Sequence, residues 1–242
     1  MRKFGCISPS VINLPWDLHA VLPPAVSAAV VTLNVRNGRP GEYERALSVL
    51  RGATDVLIDE GAESIVVFGV PVAAKRGYAA ERAALTALTA DRGNVPIVSS
   101  LAATALAFQH LGVKHPLLIT QYAEDVNDEI VAFYRAAGVE AAGAAGLGAT
   151  NAAMVNALTA SDFDALARKA LARFPRADGI FLSARGNLQH VARQLDGAFA
   201  MPVIEQVEAA VWWSLSQLNE TPLAGTGRLL STAPATSLRT GR

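Results

Sequence analysis

The chain has 242 residues, with 21 Lys plus Arg balanced by 21 Asp plus Glu, 51% hydrophobic residues and 17% charged ones. A neutral balance supplies no field that would gather nucleic-acid phosphates or an anionic membrane surface, so neither is expected as a partner. The hydrophobic fraction excludes a disordered chain, and the one cysteine, Cys6, excludes an intramolecular disulfide and a Cys-based zinc site.

Along the chain, short apolar runs alternate with longer segments of helical period, the pattern of an α/β fold with a mostly parallel sheet. Strands are expected at Phe4–Ile7, Val30–Leu33, Ser64–Phe68, Pro96–Val98, Leu117–Thr120, Gly179–Ser183 and Pro202–Ile204. Helices are expected at 42–60, 78–90, 101–111, 125–137, 161–174 and 206–218. Ser161, ahead of Asp162, reads as an N-cap, and Gly138 as a C-terminal stop. The run from Gly143 to Gly148 lacks the G-x-G-x-x-G spacing of a dinucleotide loop and reads as a flexible connection. Trp212 and Trp213 read by default as core, although they could also pack a dimer or a contact between lobes. No segment approaches the roughly 18 apolar residues a bilayer requires. A soluble, cytoplasmic protein is expected, with homo-oligomerisation left open and a flexible tail over 232–242.

A weak internal repeat orders these elements. Residues 94–105 lie over 200–211, 61–68 over 176–183, and 4–7 over 117–120, always in the same sequence of strand and helix. The repeat implies two pseudo-symmetric lobes, each a mostly parallel sheet flanked by helices. Residues 1–99, completed by 207–231, would form the first lobe and 100–206 the second. Ligands of parallel α/β sheets bind outside the carboxyl ends of the strands. The expected site is therefore built from the loops at Ser8-Pro9-Ser10, Gly69-Val70-Pro71, Ser99-Ser100, Gln121-Tyr122, Ala184-Arg185-Gly186-Asn187 and Glu205-Gln206.

The segment from Leu111 through Gly112-Val113-Lys114-His115-Pro116 to Gln121-Tyr122, continuing through Asp125-Val126-Asn127 and Phe133 to Gly138-Val139, carries a resemblance. With Asp178–Ser183, Met201–Ile204 and the opening Gly5-Cys6-Ile7-Ser8-Pro9-Ser10, it is similar to the aspartate/glutamate racemase superfamily. Within that superfamily it resembles the branch of arylmalonate decarboxylase and maleate cis-trans isomerase. The resemblance implies a cofactor- and metal-independent enzyme that binds a small carboxylate or dicarboxylate between its lobes and works through a carbanion or enediolate, as a decarboxylase or isomerase. It also implies a cysteine in one or both lobes, at the ends of two equivalent strands, and those positions are Val70 and Ala184 here. Neither side chain can move a proton or attack carbon. Pro71, which matches a position expected to give an amide donor, has no N–H to offer.

The residues left to bind substrate are Ser8, Ser10, Asn13, Gly69, Val70, Pro71, Tyr122, Ala184, Arg185 and Gly186. The resemblance makes Tyr122 the carboxylate-binding tyrosine, and an Arg185 guanidinium could replace lost amide donors. Tyr122 and Glu205 are the catalytic candidates, Glu205 because it leaves a buried strand where desolvation would raise its pKa. Cys6 falls in an apolar strand, where a thiol behaves as a small hydrophobe. Lys75-Arg76 could attract an anion, but a charge pair before a glycine is more often a solvated turn. Two other classes stay open: a catalytically silent carboxylate-binding homologue, and a hydrolase or hydratase that activates water on the same fold.

Overall fold

The structure is a computed structural model that describes residues 1–10, 22–35, 40–184, 188–223 and 227–232. Asn13, Arg185, Gly186 and the tail beyond Thr232 lie outside the described residues. The strands are β1 (Arg2–Ser8), β2 (Val26–Thr32), β3 (Ile65–Val67), β4 (Ile97–Ser99), β5 (Pro116–Tyr122), β6 (Gly143–Ala149), β7 (Gly179–Ser183) and β8 (Val203–Glu205). The helices are α1 (Pro40–Asp59), α2 (Val70–Arg76), α3 (Tyr78–Thr89), α4 (Ser100–Leu111) and α5 (Glu124–Ala136), then α6 (Ala152–Ala157), α7 (Ala160–Arg173), α8 (Gln189–Phe199) and α9 (Gln206–Leu218).

The strands form two four-stranded sheets of the same order, β2-β1-β3-β4 and β6-β5-β7-β8, with every pairing parallel. The repeat read from the sequence therefore has a structural counterpart. β1, β3 and β4 occupy the places of β5, β7 and β8, and the two-sheet α/β architecture is the one expected.

Both faces of each sheet are covered, which is why the central strands read as near-continuous apolar runs. Alternate side chains divide between two cores. Phe4, Cys6, Val66 and Val98 of the first sheet, and Leu118, Phe181 and Ile204 of the second, join one central core. Ile7, Ile65 and Val67 face a separate outer core, and Leu117, Ile119, Ile180 and Leu182 face another. α4 and α9 pack on each other within the central core and are buried around most of their circumference. Trp212 and Trp213 are buried there, in accord with their default reading as core.

Three local expectations are corrected. The N-cap of α7 is Thr159, not Ser161, because Thr159 forms the reciprocal capping box. Asp162 Oδ2 accepts from both the Thr159 amide and its hydroxyl, each at 2.7 Å, and Ser161 falls inside the first turn. Residues 70–76, left without structure in the sequence reading, form α2 directly after β3, with Pro71 in the first turn where its missing N–H costs nothing.

The Gly143–Gly148 run is not a flexible connection but the edge strand β6. Its glycines are there for close approach. A Cβ on Gly143 would sit 2.2 Å from the Phe174 ring, and one on Gly146 would sit 2.1 Å from the Tyr122 carbonyl oxygen. By contrast, Gly138 follows the last helical residues of α5 at φ 83°, as a stop signal should.

Candidate active site at the strand ends

The first sheet contributes Ser8 and Gly69-Val70. The Ser8 side chain is buried and its hydroxyl donates to the Ser10 carbonyl at 2.6 Å, so this serine shapes its own loop. Gly69, two residues beyond β3, has φ 130° and ψ 62°, a conformation closed to other residues, and turns the chain into α2. Val70, the first residue of α2, is buried. Pro71 is half-buried beside it.

The second sheet contributes Tyr122 and Ala184. β5 breaks register between Thr120 and Tyr122, and the break is held by a small polar cluster. The Thr120 hydroxyl donates to Asn127 Oδ1 at 2.6 Å and accepts the Tyr122 amide at 3.1 Å. Asn127 Nδ2 in turn faces the Tyr122 carbonyl at 3.5 Å. Tyr122 is half-buried against the central core at the point where β5 gives way to α5. Ala184 is buried at the end of β7, the strand equivalent to β3. Val70 and Ala184 thus stand at matching places in the two halves.

Gln206 fixes that end of β7. Its Nε2 donates to the Ala184 carbonyl at 2.8 Å, and its Oε1 accepts the Ser183 hydroxyl at 3.2 Å. The sequence reading placed Gln206 in a cleft loop without a role. A long amide one residue after a buried strand was the available signal.

Glu205 is only 1% exposed, and its geometry is that of a helix cap. One carboxylate oxygen, Oε2, accepts the amides of Val207 at 2.8 Å and Glu208 at 3.2 Å. The repeat explains why: Ser99, the matching residue after β4, caps α4 by accepting the Ala102 amide at 3.3 Å.

Cys6 lies in the middle of β1, paired with Val30 and Val66, and burial pushes its thiol up to about 12. It carries no thiolate at neutral pH. Among the described residues no group of three or more His, Cys, Asp or Glu side chains could hold a metal ion, and no helix is long and apolar enough to cross a membrane.

A family model of arylmalonate decarboxylase matches residues 5–230. The chain belongs to the arylmalonate decarboxylase family. Within it, the arylmalonate decarboxylase of Bordetella bronchiseptica is 28% identical over 209 residues, covering 86% of this chain and 87% of the relative. A double mutant of arylmalonate decarboxylase in its liganded form superposes with a TM-score of 0.85 at 23% identity, over 95% of this chain and 98% of that one. The maleate cis-trans isomerase of Nocardia farcinica, holding a covalently bound succinylcysteine intermediate, gives 0.85 at 18% identity over 96% and 99%. The maleate isomerase of Pseudomonas putida S16 with maleate gives 0.83 at 20% identity over 96% and 98%. The family fold is thus complete in this chain, whereas its one thiol is internal to a strand rather than at a strand end.

Proposed function

We propose that this family member binds a small carboxylate or dicarboxylate at the carboxyl ends of β1, β3, β5 and β7, and acts on the carbon beside it through a carbanion or enediolate without a thiol. One observation carries this reading: the matched strand ends of β3 and β7 are kept, with buried Val70 and Ala184 in the two thiol places, while the only cysteine is buried in β1.

In this reading Tyr122 donates its phenolic O–H to the substrate carboxylate. The break in β5, fixed by Thr120 and Asn127, gives that tyrosine a defined backbone from which to act. Such preorganised donors stabilise charge as it develops on the carboxylate, the main requirement when a C–C or C–H bond next to it is cleaved. Arg185 supplies a cation beside Ala184. Ser8, Ser10 and the turn at Gly69-Val70-Pro71 line the opposite side. Glu205 caps α9 through Oε2, and the proton that quenches the carbanion comes from Tyr122, from Glu205 or from water.

The same observation supports a second reading, a homologue that binds carboxylates and performs no chemistry. Incubation in D2O with phenylmalonate, methylmalonate and maleate, followed by NMR, separates the two. Release of CO2, deuterium incorporation or isomerisation at a rate abolished by Tyr122→Phe supports the enzyme. Ligand-induced thermal stabilisation with no exchange supports the binding protein. Neither stabilisation nor turnover with any carboxylate would overturn the assignment of the strand ends as a carboxylate site.

A further inference from the structure

Next to Gly69 the first half holds a small recess that opens to solvent. Two of its walls are apolar, formed by Leu33, Leu50 and Phe68. The third is one face of α2 and the turn before it: Gly69, Val72, Ala73 and Arg76, at the i, i+3, i+4, i+7 spacing of a single helical stripe. That stripe starts at the strand-end turn and ends at a guanidinium. At 1.5 Å per residue, Arg76 stands about 9 Å along the helix from Val70.

Arg76 is not the solvated turn charge that the pair Lys75-Arg76 suggests. Lys75 is exposed, but the Arg76 side chain is only 25% exposed and its Nη1 donates to Glu81 Oε2 at 2.6 Å. The Glu81 side chain is 4% exposed, and burial holds its carboxyl above the usual carboxylate range against the pull of Arg76. A buried acid under a half-buried guanidinium fixes the plane of that guanidinium. With Nη1 committed to Glu81, the Nε–Nη2 edge has no hydrogen-bond partner among the described residues. This edge presents two parallel N–H groups, the geometry that matches a carboxylate.

We propose that the recess is a second subsite of the carboxylate site, taking an apolar ring or chain that ends in a distal carboxylate, which the Nε–Nη2 edge of Arg76 receives. The inference rests on the reading of the strand ends given above and adds the substrate class: acids with an apolar spacer between two anionic ends. Glu81 is a positioning residue, acting on substrate through Arg76.

The test uses two unreactive acids, phenylacetate and 4-carboxyphenylacetate, titrated calorimetrically into the full-length protein. The wild type should bind the carboxy-tipped acid about tenfold or more tightly than phenylacetate, as a charge-assisted pair requires. In Arg76→Met the preference should vanish while phenylacetate affinity stays within about twofold. Arg76→Lys should recover only part of it, because a point charge cannot make the paired contact. Glu81→Gln should reduce the preference without abolishing it, a result that a merely structural role for Glu81 would not give. Equal affinity of the wild type for the two acids, or a preference that survives Arg76→Met, overturns the subsite while leaving the strand-end site intact. No binding of phenylacetate overturns the strand-end reading itself and this inference with it.

Discussion

Replacing Glu208 by glutamine should remove a pH-dependent cost from the folded state. Glu208 sits in the first turn of α9, 5% exposed, with Oε1 buried and without a hydrogen-bond partner. Burial is the main cause that pushes its carboxyl up from 4.5 to about 8; Asp196 adds to the effect, while Arg193 and the amides of Glu205 and Leu230 oppose it. The backbone at Gly227 closes the site from the C-terminal side, so close that a Cβ there would lie 2.9 Å from Oε1. An acid whose pKa is raised by folding contributes its full stability below its unfolded value, and that stability is lost as pH rises toward the folded value. The interval between 4.5 and about 8, at about 1.4 kcal/mol per pH unit, gives a total loss of about 5 kcal/mol above pH 8. Glutamine imitates the neutral carboxyl and should abolish the slope. Urea unfolding of both proteins at pH 6, 7, 8 and 9 measures it. The wild type should lose about 2 kcal/mol relative to the variant between pH 6 and 8, and little more above pH 9. Parallel stability curves for the two proteins would show that Glu208 ionises normally in the fold, and would refute the reasoning.

Four further outcomes follow from the site. Ala184→Cys, which restores a thiol at the end of β7, should raise decarboxylation or isomerisation of a family substrate at least tenfold over the wild type in the NMR assay; an unchanged rate would remove the equivalence with the family's thiol position. Tyr122→Phe should weaken carboxylate binding by about 1 kcal/mol in calorimetry, the net worth of one hydrogen bond to ligand. Gly146→Ala should cost about 1–3 kcal/mol of stability and lower ligand affinity as well, because the added Cβ would collide with the Tyr122 carbonyl and Asn127 Nδ2. In the folded protein Cys6 should resist thiol reagents at pH 8 and react only on unfolding, as measured by a chromogenic disulfide.

Much of the fold was legible because both sheets are parallel and covered on two faces. That arrangement makes β1, β3, β5 and β7 read as short apolar runs, and it repeats them in the same order in each half. β6 escaped detection for a physical reason. It is a glycine-rich edge strand whose composition answers to neighbours, the Phe174 ring and the Tyr122 carbonyl, which are distant in sequence. α2 escaped because it starts without a side-chain cap, at a glycine with positive φ and with a proline as its second residue. At the site, Val70 and Ala184 were recognisable by their place after equivalent strands. The cap formed by Glu205 was implicit in its alignment with Ser99, since both residues lead from an equivalent strand into a helix. The tasks of Gln206 and Glu81 depend on partners that no local pattern reveals.

The central core has a consequence for origin. Phe4 and Val66 on one sheet, and Leu118 and Phe181 on the other, share one buried cluster with α4 and α9. A half-length chain with this strand order would leave that whole face bare to water, an apolar surface that soluble monomers do not tolerate. It would have to pair with a copy of itself, face to face, before any fusion joined the two. Cut between α4 and β5, the two halves of the present chain should therefore be insoluble alone and should fold when produced together.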